Sequence, residues 1–149
     1  MCSMHVNDSM IEIKTKKKGH LHFVCSSEFD HLDAIVDQTE VFLAPLIADD
    51  ELSYKVVLLL TEAVTNAIEH GNAMDTQKRV TGDLLVQNKQ IQITVEDEGE
   101  GFERQTVKDP TKEENLLMDG GRGIFFIEQM ADRVEYEMQG RRVHIFFDR

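Results

Sequence analysis

The stretch Glu62-Ala-Val-Thr-Asn66-Ala-Ile-Glu-His70-Gly71 decides how the rest of the chain is interpreted. It closes a segment, residues 52–69, in which apolar residues recur at helical spacing, so it predicts the strongest helix of the chain. Glu62 and Asn66 are four residues apart and therefore share one helix face. A carboxylate beside an amide oxygen suits proton abstraction from a hydroxyl and the binding of a hard cation. The alternative is an ordinary solvated helix edge.

A second motif, Asp97-Glu-Gly99-Glu-Gly101-Phe102, follows the alternating segment 91–97. The three strand residues that share the parity of Asp97 are apolar, so its carboxylate is predicted to point inward at a strand end. A buried carboxylate is costly unless a donor reaches it, and the exocyclic amine of an adenine would be such a donor. Gly99 and Gly101 leave room for close approach of ligand or backbone. The alternative is a strand that runs out into an acidic turn.

A third motif, the glycine-rich stretch 120–124 (GGRGI), opens a predicted helix over 124–130. Free amides at a helix N-terminus bind phosphate, and Arg122 could add a charge-assisted contact. The alternative is a flexible hinge that closes the preceding loop. That loop, about 102–120, is polar and aperiodic, which is typical of a functional lid.

The remaining pattern predicts three hairpins and a third helix. The predicted strands cover residues 10–15, 20–25, 80–87, 91–97, 134–138 and 142–147, and an additional helix covers 32–47. Hairpins favour a mixed, mostly antiparallel sheet, and the helices must then collect on one face. We therefore expect an α+β two-layer sandwich that forms one domain over residues 1–149.

The net charge and the composition restrict the classes of partner and ligand that we expect. The net charge of −12 disfavours direct binding to DNA or RNA and suits a protein partner, or an anionic ligand held locally by amides and a metal. Cys2 and Cys25 lack metal-ligand spacing and are expected to be reduced thiols in a cytoplasmic protein. No stretch approaches the roughly 20 apolar residues that span a bilayer.

The histidines carry no recognisable metal-binding spacing, so surface or strand-face roles are expected for them. They are His5, His20, His22, His31 and His144, besides His70 in the first motif.

Taken together, the three motifs resemble those of the GHKL ATPase superfamily, and within it the chain looks most like the bacterial anti-sigma factor serine kinases. The resemblance covers nearly the whole chain and implies the Bergerat ATP-binding fold. The N-box is matched by Glu62-x-x-x-Asn66 with Ala67 and His70, the G1 box by Asp97-x-Gly99-x-Gly101-Phe102, and the G2 box by Gly121-x-Gly123-Ile124.

The resemblance implies a site for ATP and Mg²⁺. Asn66 would coordinate the metal, and Glu62 would be the general base that takes a proton from the attacking hydroxyl. Asp97 would bind the adenine amine, with Gly101 lining the base pocket. The glycine-rich turn would close over the phosphates through Gly121, Arg122 and Gly123, beneath a mobile lid at about 102–120.

The resemblance also ranks the possible functions. Sensor histidine kinases usually carry Asn where Glu62 stands, so Glu62 favours a protein-serine kinase, which would bind a sigma factor and phosphorylate a STAS-domain antagonist. The alternatives are a nucleotide-sensing module that sequesters a partner without phosphoryl transfer, and a stand-alone histidine-kinase ATPase domain. A homodimer through the sheet is possible, using Val143, Ile145 and Phe147 or the residues that alternate with them.

Overall fold

The computed structural model describes residues 9–100 and 127–149. In that part of the chain the strands are β1 (Ile11–Lys17), β2 (His20–Ser26), β3 (Arg79–Val86), β4 (Gln90–Glu96), β5 (Arg133–Glu137) and β6 (Arg142–Asp148). The helices are α1 (Leu32–Leu43) and α2 (Asp50–Asn66), and residues 127–130 are also helical. Short turns of 3₁₀ type cover Phe29–His31 and Met138–Gly140, and a π-helical turn covers Ala67–Gly71.

The six strands form one sheet in the order β1-β2-β3-β4-β6-β5, and every pairing among them is antiparallel. Alternate residues of the strands face a shared core with the helices, which confirms the expected α+β two-layer fold. Ile145 and Phe147 are buried in that core. A homodimer through the open face of the sheet would therefore use their alternates, of which His144 is partly exposed, whereas Phe146 is buried beneath the guanidinium of Arg133.

Local chemistry sets the ends of α1 and α2. The side chain of Asp49 accepts hydrogen bonds from the backbone N–H groups of Glu51 and Leu52, so α2 begins at Asp50 rather than at residue 52. The sequence pattern placed the end of the first helix near residue 47, but α1 ends at Leu43. Pro45 explains the difference, because proline has no N–H to donate to the carbonyl four residues earlier and so interrupts the helical hydrogen bonding.

The core lies between the inner face of the sheet and the two helices. Gly82 of β3 leaves space for the ring of Phe23 on β2, since a Cβ at this position would collide with that ring. The largest fully buried side chains are Phe23, Phe147, Ile35, Leu43, Leu59, Leu60, Ile68, Leu84, Ile91, Ile93, Ile127 and Ile145. None of the helices in the described residues is long and apolar enough to cross a membrane.

After Asn66 the α-helix widens into the π-helical turn. The backbone N–H of Asn72 donates to the carbonyl of Ala67 at 2.8 Å and ends this turn. Asn72 is fully buried, and its amide makes three further hydrogen bonds. It donates to Ser27 Oγ at 2.8 Å and to the carbonyl of Arg79 at 3.0 Å, and it accepts from the N–H of Glu98 at 2.8 Å. One side chain thus ties the end of the helix to the segment after β2, to the first residue of β3 and to the turn after β4.

Asn72→Ala should therefore lower the free energy of unfolding by about 2–4 kcal/mol, because it leaves buried polar groups without partners. Urea denaturation followed by circular dichroism measures the change.

Asn88→Ala is the matched control, because Asn88 lies exposed in the turn between β3 and β4 and should change stability by less than about 0.5 kcal/mol. Equal stabilities for the two variants would contradict the assigned role of Asn72.

Candidate functional site

Helix α2 carries Glu62 and Asn66 one turn apart in its last two turns, and both side chains are half-buried. Within the described residues neither side chain makes a hydrogen bond or an ion pair. Burial raises the pKa of the Glu62 carboxyl above its ordinary value. A half-buried carboxylate without a cation beside it is a better proton acceptor than a solvated one, which fits the predicted role of a base.

Asp97 directly follows β4 and points inward, as the strand parity predicts. Only 7% of the residue is exposed. Its Oδ1 accepts the N–H of Gly99 at 2.8 Å, and its own N–H donates to the carbonyl of Arg141 at 2.9 Å. Burial raises the pKa of the Asp97 carboxyl, and the hydrogen bond from Gly99 and the charge of Arg141 only partly oppose that rise.

Two glycines bring the first and second motifs into contact. A Cβ on Gly71 would collide with the carboxylate of Asp97, and a Cβ on Gly99 would collide with the carbonyl of Gly71. The end of the helical stretch that carries Glu62 and Asn66 therefore packs backbone to backbone against the turn after β4. The sequence predicts that Gly99 allows close approach of ligand or backbone, and in the structure the group that approaches is the backbone carbonyl of Gly71.

His70 lies in the π-helical turn, and its side chain is 45% exposed. Its Nε2 is 2.8 Å from Oε1 of the neighbouring Glu69. Its role in binding nucleotide stays a prediction.

The third motif and the lid lie outside the described residues. Gly101, Phe102, the segment 102–120, Gly121, Arg122, Gly123 and Ile124 belong to this group. Their assigned roles stay predictions.

Gly71 and Asn72 follow the predicted helix, and the sequence pattern assigns neither of them a role in the site, whereas both help to build it. Gly71 leaves space for the Asp97 carboxylate, and Asn72 holds the N–H of Glu98, the residue between Asp97 and Gly99. Glycine next to asparagine at a helix end is a general stop signal, so this pattern alone does not distinguish a structural stop from a site residue.

A cavity of about 580 Å³ lies elsewhere, between the start of α2 and the turn before β4. Asp49, Lys55, Asn88 and Arg149 are among its lining residues, and Glu62, Asn66 and Asp97 are not. Asn88 precedes β4 and Asp97 follows it, so the cavity lies a strand length away from Asp97.

Residues 25–147 match the family model of the histidine kinase-like ATPase domain. The chain belongs to that family. The match covers most of the chain and confirms the GHKL resemblance inferred from the three motifs. Membership implies that the domain binds ATP.

The curated proteins that are similar to this chain include serine-protein kinases. The "Serine-protein kinase RsbW" of Listeria monocytogenes is 26% identical over 84 residues, which are 52% of this chain and 54% of the relative. The protein of the same name from Staphylococcus aureus is 31% identical over 84 residues, or 52% of this chain and 53% of the relative. The chain thus spans about half the length of the curated relatives it matches.

The residues near Asp97 fit an adenine nucleotide. Among the described residues, the buried carboxylate receives one hydrogen bond, from the N–H of Gly99. A carboxylate oxygen can accept more than one hydrogen bond, and each donor stabilises a buried carboxylate. An adenine amine would therefore add a hydrogen bond that no described protein group supplies. On α2, the amide oxygen of Asn66 is the type of ligand that Mg²⁺ takes.

Asp97→Asn should leave the stability of the nucleotide-free protein at pH 7 unchanged or raise it, by on the order of 1 kcal/mol. The raised pKa means that the folded state holds the Asp97 proton more tightly than the unfolded state does. Stability is therefore lost as the pH rises from the ordinary aspartate pKa through the raised one. Asparagine never ionises, so it avoids this loss while keeping an acceptor for Gly99.

Chemical denaturation from pH 3 to pH 8 measures the effect, and the gain should disappear at the acid end of the range. Asp37→Asn is the control, because Asp37 is exposed on α1. A marked loss of stability in Asp97→Asn at pH 7 would contradict the assigned cost of the buried charge.

Proposed function

We propose that this chain is an ATP-dependent protein-serine kinase that acts as an anti-sigma factor in a partner-switching system and phosphorylates a STAS-domain antagonist. The observation that carries the proposal is the packing of Gly71 against Asp97 and Gly99. This packing holds the buried Asp97 carboxylate, the proposed acceptor for adenine, beside the end of the helix that carries the proposed base Glu62 and the proposed metal ligand Asn66. The proposal treats residues 1–149 as one cytoplasmic ATPase domain.

Each motif has a separate task in this proposal. Asp97 accepts a hydrogen bond from the adenine amine, beside Gly99 and Gly101. Asn66 holds Mg²⁺ through its amide oxygen, with the exposed His70 at the edge of the same helical end. The glycine-rich turn and Phe102 to Gly120 form the phosphate-binding and lid segments, including Gly121, Arg122, Gly123 and Ile124. ATP would supply the phosphoryl group, and Mg²⁺ would neutralise part of the charge on its phosphates.

Glu62 is the general base. It orients the serine hydroxyl of the substrate and accepts its proton as the hydroxyl oxygen attacks the γ-phosphorus of ATP, and ADP leaves with the bridging oxygen. The raised pKa of its carboxyl supports this role, because a stronger base accepts the proton more readily. Few other groups are needed, since phosphoryl transfer depends mainly on positioning and charge neutralisation.

Two facts favour serine as the acceptor. Glu62 occupies the position where sensor histidine kinases usually carry asparagine, and the curated relatives are named serine-protein kinases. A sigma factor and a STAS-domain protein are the partners that the family resemblance implies. The net charge of −12 agrees with a protein partner and disfavours direct contact with promoter DNA.

Glu62→Gln should lower the rate of phosphate transfer by about 100-fold or more, because glutamine cannot accept the serine proton. The rate is followed with radiolabelled ATP and a panel of purified STAS-domain proteins. ATP affinity should stay within about threefold of wild type, since Glu62 is assigned no contact with the nucleotide before transfer.

The control is Glu51→Gln, a change of the same kind at an exposed position on the same helix. Wild-type transfer by Glu62→Gln would reject Glu62 as the base. ATP binding without transfer to any STAS protein would favour the nucleotide-sensing module. A phosphorylated acceptor that is stable to alkali but not to acid would indicate phosphohistidine and reject the serine kinase.

A further inference from the structure

On the open face of the sheet, away from the helices, three possible metal ligands converge. We propose that His20, His22 and Asp83 form a binding site for a divalent transition metal of the Zn²⁺ class. The site is separate from the predicted nucleotide-binding residues, and the proposal does not depend on the kinase function. The histidines lie on a strand face, as expected from the sequence, but their convergence with an aspartate was not predicted.

The antiparallel register explains why these residues meet. His20 and His22 are two residues apart on β2, so both side chains project from the same face. Asp83 on β3 is the direct cross-strand partner of His22. Its Oδ1 lies 2.7 Å from His20 Nε2 and 2.8 Å from His22 Nδ1. The ligand atoms of the three residues all lie within 4.8 Å of one another.

Two imidazole nitrogens and one carboxylate oxygen suit Zn²⁺ and its neighbours in the transition series, whereas Mg²⁺ prefers oxygen ligands. In the metal-free protein, the ring N–H groups of both histidines can donate to Asp83. A bound ion would replace these shared hydrogen bonds with three metal–ligand bonds, and each imidazole would bind as a neutral ring that carries its N–H on the other nitrogen.

Partial burial favours a bound ion without closing the site. The side chains of His20, His22 and Asp83 are 18%, 15% and 29% exposed. The ligands are therefore held by the sheet, while the open side leaves room for water in the remaining coordination positions. Lys14 faces His22 across the β1–β2 pair, but its ammonium group lies 3.8 Å from Glu12 and is largely exposed. Its charge is thus partly offset.

His144 provides an internal comparison on the same face of the sheet. Its Nδ1 is 2.9 Å from Thr94 Oγ1, and its Nε2 lies beside the Glu137 carboxylate. It has a carboxylate neighbour like the proposed site, but among the described residues no second histidine joins it. Loss of His144 should therefore leave metal binding unchanged.

The test is isothermal titration of tag-free, chelator-treated protein with ZnCl₂, and separately the visible spectrum with CoCl₂. ATP is omitted because it chelates both ions, and 5 mM MgCl₂ is present throughout to occupy oxygen-only sites. We expect one Zn²⁺ per chain, a Co²⁺ spectrum with nitrogen ligation, and a higher melting temperature with Zn²⁺ because the ion binds only the folded arrangement.

His22→Gln and Asp83→Asn should each weaken Zn²⁺ binding at least about tenfold, and His144→Gln should not. His20→Gln is a second histidine variant in case His22→Gln fails to fold by circular dichroism. The proposal is overturned if wild type does not bind Zn²⁺ at micromolar concentrations. It is also overturned if the folded cluster variants bind as well as wild type, or if His144→Gln loses binding to the same extent.

Discussion

The site depends on one close backbone approach, between Gly71 at the end of the helical segment and Gly99 in the turn after β4. No side chain fits between these two residues, because a Cβ on Gly99 would overlap the carbonyl of Gly71 and a Cβ on Gly71 would overlap the Asp97 carboxylate. The approach buries that carboxylate and aligns two motifs that are far apart in the sequence. Alanine at Gly99 would force the two backbones apart, and alanine at Gly71 would displace the Asp97 carboxylate.

The surrounding structure maintains this approach. The widened π-helical turn carries the chain from α2 to Asn72, whose side chain then bonds to three separate segments. Beyond it, Ala73 and Met74 both have positive φ, a conformation that is unfavourable for residues with a side chain. The protein thus accepts local strain and a buried charge next to its candidate site, which is where such costs are usually found.

The sequence was sufficient for most of the fold because hydrophobic periodicity and turn residues specify strands and helices directly. The alternation along β4 predicted the inward direction of Asp97, and the helical spacing placed Glu62 and Asn66 on one face. The pattern could not predict the three-way hydrogen bonding of Asn72 or the convergence of His20 with Asp83. Those contacts depend on which strands become neighbours, and spacing within one segment does not contain that information.

The central claim is that the buried Asp97 carboxylate recognises adenine, and a thermal-shift comparison tests it most directly. Wild type and Asp97→Asn would be melted with and without 1 mM ATP and MgCl₂. A ligand that binds only the folded state raises the melting temperature, so the account predicts a clear rise for wild type and little or none for Asp97→Asn. An equal rise in both proteins, or no rise in wild type, would contradict it.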